Sequence, residues 1–307
     1  MARHGLASKS SMKGNHSMLQ YLNVCPLCES INLKNLYSNV NDFTIVRCLE
    51  CRLVFVKERL STEKLLGYYE ADKDNPTYSD PANIANLNYY FNRLRSIIEA
   101  RVRPGRVLDI GCSAGYFLDT MRGWDCYGIE IPSTWADVAR GKYGRNIHIG
   151  SLEDAEFPEN YFDVIAFQDV FDHLPSPMDY LQACNRLLRP GGLVVIKVHN
   201  ISCLFARLSG RRFYAMIPPY HLFYFNETTL KMALNKAGFE HEMTTFIAQI
   251  LFLKTIPLRM ARARREGLFY RAFQVLDRLP VGTLTIRKNL HDIITVIGTK
   301  RPGFAGS

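Results

Sequence analysis

The sequence predicts an α/β protein: a doubly wound, mostly parallel sheet covered on both faces by helices, with a small cysteine-stapled unit at the N-terminal end. Three observations predict it. From Arg106 onward, apolar strand-like runs alternate with amphipathic segments of helical length, the pattern of parallel strands joined by crossover helices. The first of those runs ends in a tight glycine turn, DIGCSAG at residues 109–115, of the kind that carries a strand into a helix. Two Cys-x-x-Cys pairs, Cys25/Cys28 and Cys48/Cys51, stand in front.

The chain of 307 residues is long enough for one large α/β domain and a small satellite. The expected organisation is an N-terminal extension at 1–20, a zinc ribbon at 21–60, connecting helices at 61–105 and the main domain at 106–301, with a basic helical insert at 254–288. No run of eighteen apolar residues occurs, so no transmembrane helix is expected. The polar start, MARHGLASKSSMKGNHS, lacks the apolar core of a secretory signal. These features place the chain in the cytosol, where its eight cysteines stay reduced. The net charge is +9, but nine Lys or Arg fall between Lys254 and Lys288 against two acids, Glu266 and Asp277. Without that segment the chain is close to neutral, which argues against a general nucleic-acid binder.

Two Cys-x-x-Cys pairs about 20 residues apart form a strong zinc signal. Each pair sits on a tight turn, so four thiolates can close a tetrahedral structural site with no position left for water. INLKNLYSNVNDFTIVR and RLVFV read as short strands around it, and the residues between the pairs are too few to form a core unaided. Cys112, Cys126, Cys184 and Cys203 have no such spacing and read as packing residues.

In the main domain, strands are expected at RVLDIG, DCYGIE, IHIG, FDVIAFQDV, GLVVIKVH, MTTFIAQI and DIITVIGT. PANIANLNYYFNRLRSIIEARV reads as a helix leading in, and STEKLLGYYEADKDNP as a connecting helix with an N-cap signature. Asp163 reads as a capping residue, and Gly191 and Gly192 as a turn.

The glycine turn discriminates between ligands. A dinucleotide fingerprint places a middle glycine where this chain has Ser113, and it brings pyrophosphate to a helix N-terminus. Asp109 at the end of the strand repels a pyrophosphate and attracts an ammonium. S-Adenosylmethionine carries an ammonium and a sulfonium and no phosphate. Glu130, at the tip of the second strand, can accept from both hydroxyls of a ribose.

Taken together, LDIGCSAG, GIE, YFDVIAFQDVFDHLPSP and LLRPGGLVVIKVHN closely resemble the motifs of class I S-adenosylmethionine-dependent methyltransferases, in order, over roughly Ile84 to Lys300. The resemblance implies a Rossmann-like sheet and S-adenosylmethionine as cofactor. It implies that Asp109, Gly111, Cys112 and Gly115 form the turn at its amino-acid end. It places Glu130 on the ribose, Ile131 on the adenine, the Leu152 backbone N–H on an adenine nitrogen and Gln168 in the methionyl pocket. Many relatives carry Asp where this chain has Ser151, and Glu153 is the alternative contact to the adenine amino group.

Methyl transfer to oxygen needs an aligned acceptor and a base. Three histidines fall at or after strand C-termini: His173 in FDHLP, His199 in KVHN and His221 in PPYHLFYF. His221 is the first candidate base and His173 the second. PPYHLFYFNETTLKMALNKAGFE further resembles bacterial methyltransferases that carry an N-terminal four-cysteine zinc ribbon and act in sugar, polysaccharide or natural-product modification. That resemblance implies a sugar or other small-molecule acceptor. The sugar C-methyltransferases with a similar ribbon carry an E-H-G segment and a long C-terminal domain not found here, which favours O-methylation. The aromatics Phe213, Tyr214, Tyr220, Phe223, Tyr224 and Phe225 form either an acceptor platform or ordinary core. The basic insert, with an apolar stripe at Leu268, Phe269, Ala272, Phe273, Leu276 and Leu279, reads as a lid. Equally it offers a contact for an acidic acceptor, such as a nucleotide- or lipid-linked sugar, or for the inner face of a membrane. Two other readings stay open: an rRNA methyltransferase with a substrate-reading ribbon, and a catalytically silent binding protein of the same fold. The few basic residues in the ribbon, Lys34 and Arg47, disfavour stable nucleic-acid binding, and the intact acidic and glycine positions disfavour the silent fold.

Overall fold

A computed structural model describes residues 20–71, 80–254 and 267–302. The expected N-terminal extension, apart from Gln20, and the basic run at 255–266 lie outside the described residues. In chain order the strands and helices are β1 (Gln20–Tyr21), β2 (Leu33–Val40), β3 (Phe43–Cys48), β4 (Val54–Val56), β5 (Glu58–Arg59), α1 (Thr62–Ala71) and α2 (Pro81–Glu99). Then follow β6 (Arg106–Ile110), β7 (Asp125–Glu130), α3 (Thr134–Tyr143), β8 (Ile147–Ile149), β9 (Phe162–Gln168), α4 (Pro177–Leu187) and β10 (Leu188–His199). The chain continues through α5 (Leu204–Ser209), β11 (Phe223–Tyr224), α6 (Glu227–Lys236), β12 (Phe239–Thr245), β13 (Gln249–Phe252), α7 (Leu268–Asp277), β14 (Thr285–Lys288) and β15 (Ile293–Lys300).

The main sheet has seven strands in the order β12-β15-β10-β9-β6-β7-β8. The five from β10 to β8 are parallel, and β15 and β12 add antiparallel at one edge. The buried runs VLDI, VIAF and LVVIKV belong to strands covered on both faces. β6 pairs with β7 on one side and β9 on the other. The strand order therefore reverses at β6, and a crevice opens at the C-terminal ends of β6 and β9, where open α/β sheets take their ligands.

Helix α2 starts on an Asp80 side chain that accepts from Ala82 N–H, with Pro81 in the first turn. It lays Tyr90, Phe91, Leu94 and Ile98 on the sheet. One expected strand, MTTFIAQI, is two. Residues to Thr245 pair with β15, and those from Gln249 pair with β14 in a separate two-stranded sheet. The apolar pattern runs on across the change of partner, so periodicity does not reveal it.

The cysteine-bearing unit shares a sheet with the main domain. β2, β3 and β4 form a sheet whose fourth strand is β11, contributed by the main domain. Phe223 pairs with Phe55, and their rings lie 6.5 Å apart. Phe223 and Phe225, with Pro177 and Met178 at the start of α4, face Pro26, Leu27 and Leu53 of the cysteine unit. Phe213, Phe223, Tyr224 and Phe225 are thus core residues rather than an exposed platform.

Phe223→Ala removes a ring from this shared core. It is expected to destabilise the protein by about 3–5 kcal/mol, with the whole molecule still unfolding in one calorimetric transition. Two separated transitions in the wild-type protein would contradict the shared core.

Candidate functional site

The crevice is lined first by the turn after β6. Gly111 sits at φ +74°, and a Cβ there would lie 2.4 Å from Val170 Cγ2. Glycine is needed both for the conformation and for the space. The Gly111 and Cys112 N–H groups donate to Ile129 O at 2.8 and 3.0 Å, tying the turn to β7. Gly115, at φ +82°, leaves room for the Tyr143 ring. Cys112 packs with its Sγ against Gly128, where a Cβ would come within 2.6 Å.

Asp109 is 1% exposed, and its Oδ1 has no hydrogen-bond partner. Burial, then the charge of Glu130, push its pKa well above the ordinary carboxyl range, with Lys197 acting in the opposite sense. Glu130 accepts from Ser113 N–H at 2.6 Å and from Ile131 N–H at 3.0 Å. Burial raises its pKa against those two bonds, and each oxygen keeps a lone pair for a further donor. Ile131 is half-buried beside it. Both amide atoms of Gln168, at the end of β9, are buried without a partner. An orphaned carboxylate oxygen, an orphaned amide and a glycine cradle fit a cationic amino acid that brings its own donors. On those observations the residues fit S-adenosylmethionine.

On the adenine side, Leu152 is buried and Glu153 exposed. Ser151 donates through Oγ to Asp154 Oδ2 at 2.7 Å. Asp154, exposed beside Glu153, is the acid bonded to Ser151. Burial leaves Lys197 3% exposed, with its Nζ 2.5 Å from Asp169 Oδ2 and 4.6 Å from the centre of the Tyr90 ring. Its charge acts on Asp109.

A further group gathers all three histidines. Asp172, 1% exposed, meets His221 Nδ1 at 2.7 Å through Oδ2. His199 Nδ1 lies 3.9 Å from the same oxygen, and His173 Nε2 lies 3.9 Å from Oδ1. The His221 ring centre is 4.3 Å from His173 and 5.0 Å from His199. Burial opposes ionisation of Asp172, but the surrounding imidazoles and the His221 hydrogen bond outweigh it and hold the carboxyl well below its usual range. Burial and repulsion from His221 bring His173 down to about 4, so it is neutral and weakly basic at pH 7. An ionised Asp172 only accepts, so His221 donates through Nδ1–H, which in the neutral ring leaves Nε2 as the acceptor. Tyr69 of α1 stacks over His173, with its hydroxyl 3.4 Å from Nδ1. Asp172 and Tyr69 were not anticipated from the sequence. The acid directly before His173 was the available signal for the first, and no local pattern marks the second.

The four cysteine sulfurs converge. Cys25 Sγ is 3.4 Å from Cys51 Sγ and Cys28 Sγ is 3.4 Å from Cys48 Sγ, with all four within 4.8 Å of one another. A tetrahedral zinc–thiolate site sets its sulfurs about 3.8 Å apart, so the donor set fits zinc. Each turn is closed by a left-handed residue after its second cysteine, Glu29 at φ 63° and Arg52 at φ 69°. Asp172, His173 and His221 also place donor atoms within 4.8 Å of one another.

Comparison with known proteins agrees with this geometry. The family model described as a methyltransferase domain matches residues 84–243, more than half of the chain, and the chain belongs to that family. A Mycolicibacterium smegmatis protein named as a probable S-adenosylmethionine-dependent methyltransferase is 32% identical over 170 residues, 52% of this chain and 63% of the relative. A ubiquinone biosynthesis O-methyltransferase of Alkalilimnicola ehrlichii is 31% identical over 126 residues, 37% of this chain and 50% of the relative. The matches thus span between half and just under two thirds of these relatives. A chain from the solved complex between the Haloferax volcanii Trm112 methyltransferase activator and its candidate methyltransferase superposes with a TM-score of 0.52 at 14% identity. It covers 80% of this chain and all of that one, a likeness of fold. The α/β methyltransferase sheet and the N-terminal four-cysteine cluster on a small sheet are both present.

The raised carboxyl pKa values give a direction to ligand binding. A cationic ligand selects ionised Asp109 and Glu130, so binding releases protons wherever the protein alone holds them protonated. Affinity for S-adenosylmethionine, measured by calorimetry between about pH 5 and 8, should rise with pH and level off once both groups are ionised. An affinity that falls across that range would contradict the assignment.

Proposed function

We propose that this chain is an S-adenosylmethionine-dependent methyltransferase acting on a hydroxyl oxygen of a small-molecule acceptor. The observation that carries the proposal is the buried Asp109 carboxylate, its Oδ1 unpartnered, beside Glu130 and the Gly111–Gly115 turn. When bound, the sulfonium supplies an activated methyl and a good leaving group. Asp109 and Glu130 hold the ammonium and ribose ends, Gln168 takes the methionyl side, and Ile131, Leu152 and the Ser151–Glu153 turn receive the adenine. His221, oriented by Asp172, takes the acceptor proton at Nε2 as the oxygen–carbon bond forms and the sulfur–carbon bond breaks. His173, a weak base, orders the pocket. A ubiquinone biosynthesis O-methyltransferase among the relatives supports oxygen as the acceptor atom. A sugar, nucleotide-linked or lipid-linked, in polysaccharide or natural-product biosynthesis is the acceptor class we favour, with contact to a membrane face through 254–288.

The test is a labelled-methyl assay on the full chain, run across nucleotide sugars, lipid-linked sugars and total RNA, together with calorimetry. Asp109→Ala should weaken S-adenosylmethionine binding by about tenfold or more. His221→Ala should leave binding intact and lower turnover by roughly 100- to 10,000-fold. Label in RNA alone would favour the RNA reading, and no binding would favour a silent fold. A second reading follows from the convergence of Asp172, His173 and His221: a divalent metal held there would acidify the acceptor. Activity lost to a chelator and restored by metal would select it over the base.

We further propose that Cys25, Cys28, Cys48 and Cys51 hold one structural zinc. The purified protein should carry about one equivalent, and Cys51→Ser should lose it. Because β4 hydrogen-bonds the segment that bears His221, that variant should also lower turnover. Full zinc retention in Cys51→Ser would contradict the site.

A further inference from the structure

Helix α5 follows β10 directly and turns three large apolar side chains to solvent: Leu204 at 68%, Phe205 at 42% and Leu208 at 78% exposure. Arg207, Arg211 and Arg212 stand exposed among them. No Asp or Glu occurs anywhere between Asp179 and Glu227. A second exposed stretch, Ile286 and Leu290 with Arg287, lies on and just after β14.

The two stretches meet at one residue. Phe205 lies 6.1 Å from the Tyr214 ring. From the other side, Lys288 Nζ and Tyr214 Oη both donate to Asp292 Oδ2, at 2.6 and 2.7 Å. Asn200, at the foot of α5, donates to His291 O at 2.9 Å. Tyr214 in turn packs edge-on against His199 at 5.3 Å, inside the imidazole cluster. The exposed apolar rim and the proposed methyl-transfer site are therefore connected by single ring contacts.

Water is a poor neighbour for such a rim. Apolar side chains interleaved with unopposed arginines form the pattern that lies in a lipid interface, where the chains enter the acyl boundary and the cations meet anionic headgroups. A nucleic acid would satisfy the arginines and leave the leucines in water.

We propose that the rim of α5 and β14 docks on an anionic lipid bilayer and presents the imidazole cluster to a hydroxyl-bearing amphiphile held in that membrane. The acceptor half of this rests on the methyltransferase reading, whereas the docking half does not. It narrows the acceptor class to a membrane-borne molecule whose hydroxyl lies at headgroup depth.

The test is sedimentation of the full chain with vesicles of phosphatidylcholine alone and of phosphatidylcholine mixed with phosphatidylglycerol. Binding should favour the anionic vesicles by roughly tenfold or more and weaken as salt rises. Leu204→Glu/Leu208→Glu and Arg211→Glu/Arg212→Glu should each reduce it by about tenfold or more, with S-adenosylmethionine binding unchanged as the check on folding. No vesicle binding, binding indifferent to lipid charge, or equal binding by the variants would overturn docking. So would sedimentation velocity showing that the rim variants dissociate a dimer, since the surface would then join two copies of this chain. If S-adenosylmethionine binding fails in the wild-type protein while vesicle binding holds, the methyltransferase reading fails and the docking surface stands.

Discussion

One buried carboxylate, Asp172, organises the C-terminal edge of the sheet. Its side chain meets His221 at 2.7 Å and has His173 and His199 within 3.9 Å. Its backbone carbonyl accepts from Leu222 and Phe223 N–H at 2.9 and 3.1 Å. Leu222 O then accepts from Val56 N–H of the cysteine unit. A single residue thus fixes the imidazoles and clamps the strand that joins the cysteine-bearing sheet to the main domain. An isolated carboxylate would not ionise at such depth. The surrounding imidazoles make it stable as an anion, and the anion in turn sets which imidazole nitrogen carries a proton.

Two acidic centres in one crevice end up in opposite protonation regimes. Asp109 is raised by burial and by the charge of Glu130, and Glu130 by burial. Asp172 is lowered by its imidazole neighbours, which outweigh burial. Pairs of titratable groups pushed apart in this way mark a division of roles. In the proposed reaction the raised pair receives a cation, and the lowered group supports a base. The Lys197–Asp169 ion pair acts on both: Lys197 opposes the rise of Asp109, and Asp169 opposes the fall of His173.

Most of the fold was legible in the sequence because parallel strands buried on both faces read as continuous apolar runs. RVLDI, DCYGIE, FDVIAFQ and IITVIGT all appear where their composition placed them. What was not legible were events of tertiary choice. The MTTFIAQI run changes sheets midway. The dipeptide Phe223–Tyr224 leaves the main domain to complete the cysteine unit's sheet. Neither leaves a trace in local pattern, because strand propensity does not name a partner. In the site, the glycine turn and the acids Asp109 and Glu130 were marked by spacing. The meeting of His173, His199 and His221 was suggested only by their shared position at strand ends. The motifs give Asp172, Asp154 and Lys197 no role, and packing shows them beside the groups they bond.

The state of the His221 ring tests this organisation most directly. Long-range proton–nitrogen NMR on selectively labelled histidine, at neutral pH, reports which ring nitrogen bears hydrogen. An ionised Asp172 bonded at Nδ1 predicts the Nδ1–H form, with Nε2 unprotonated, and predicts that this preference is lost in Asp172→Asn. A His221 ring protonated at Nε2 and bare at Nδ1, or one unmoved by Asp172→Asn, would contradict it.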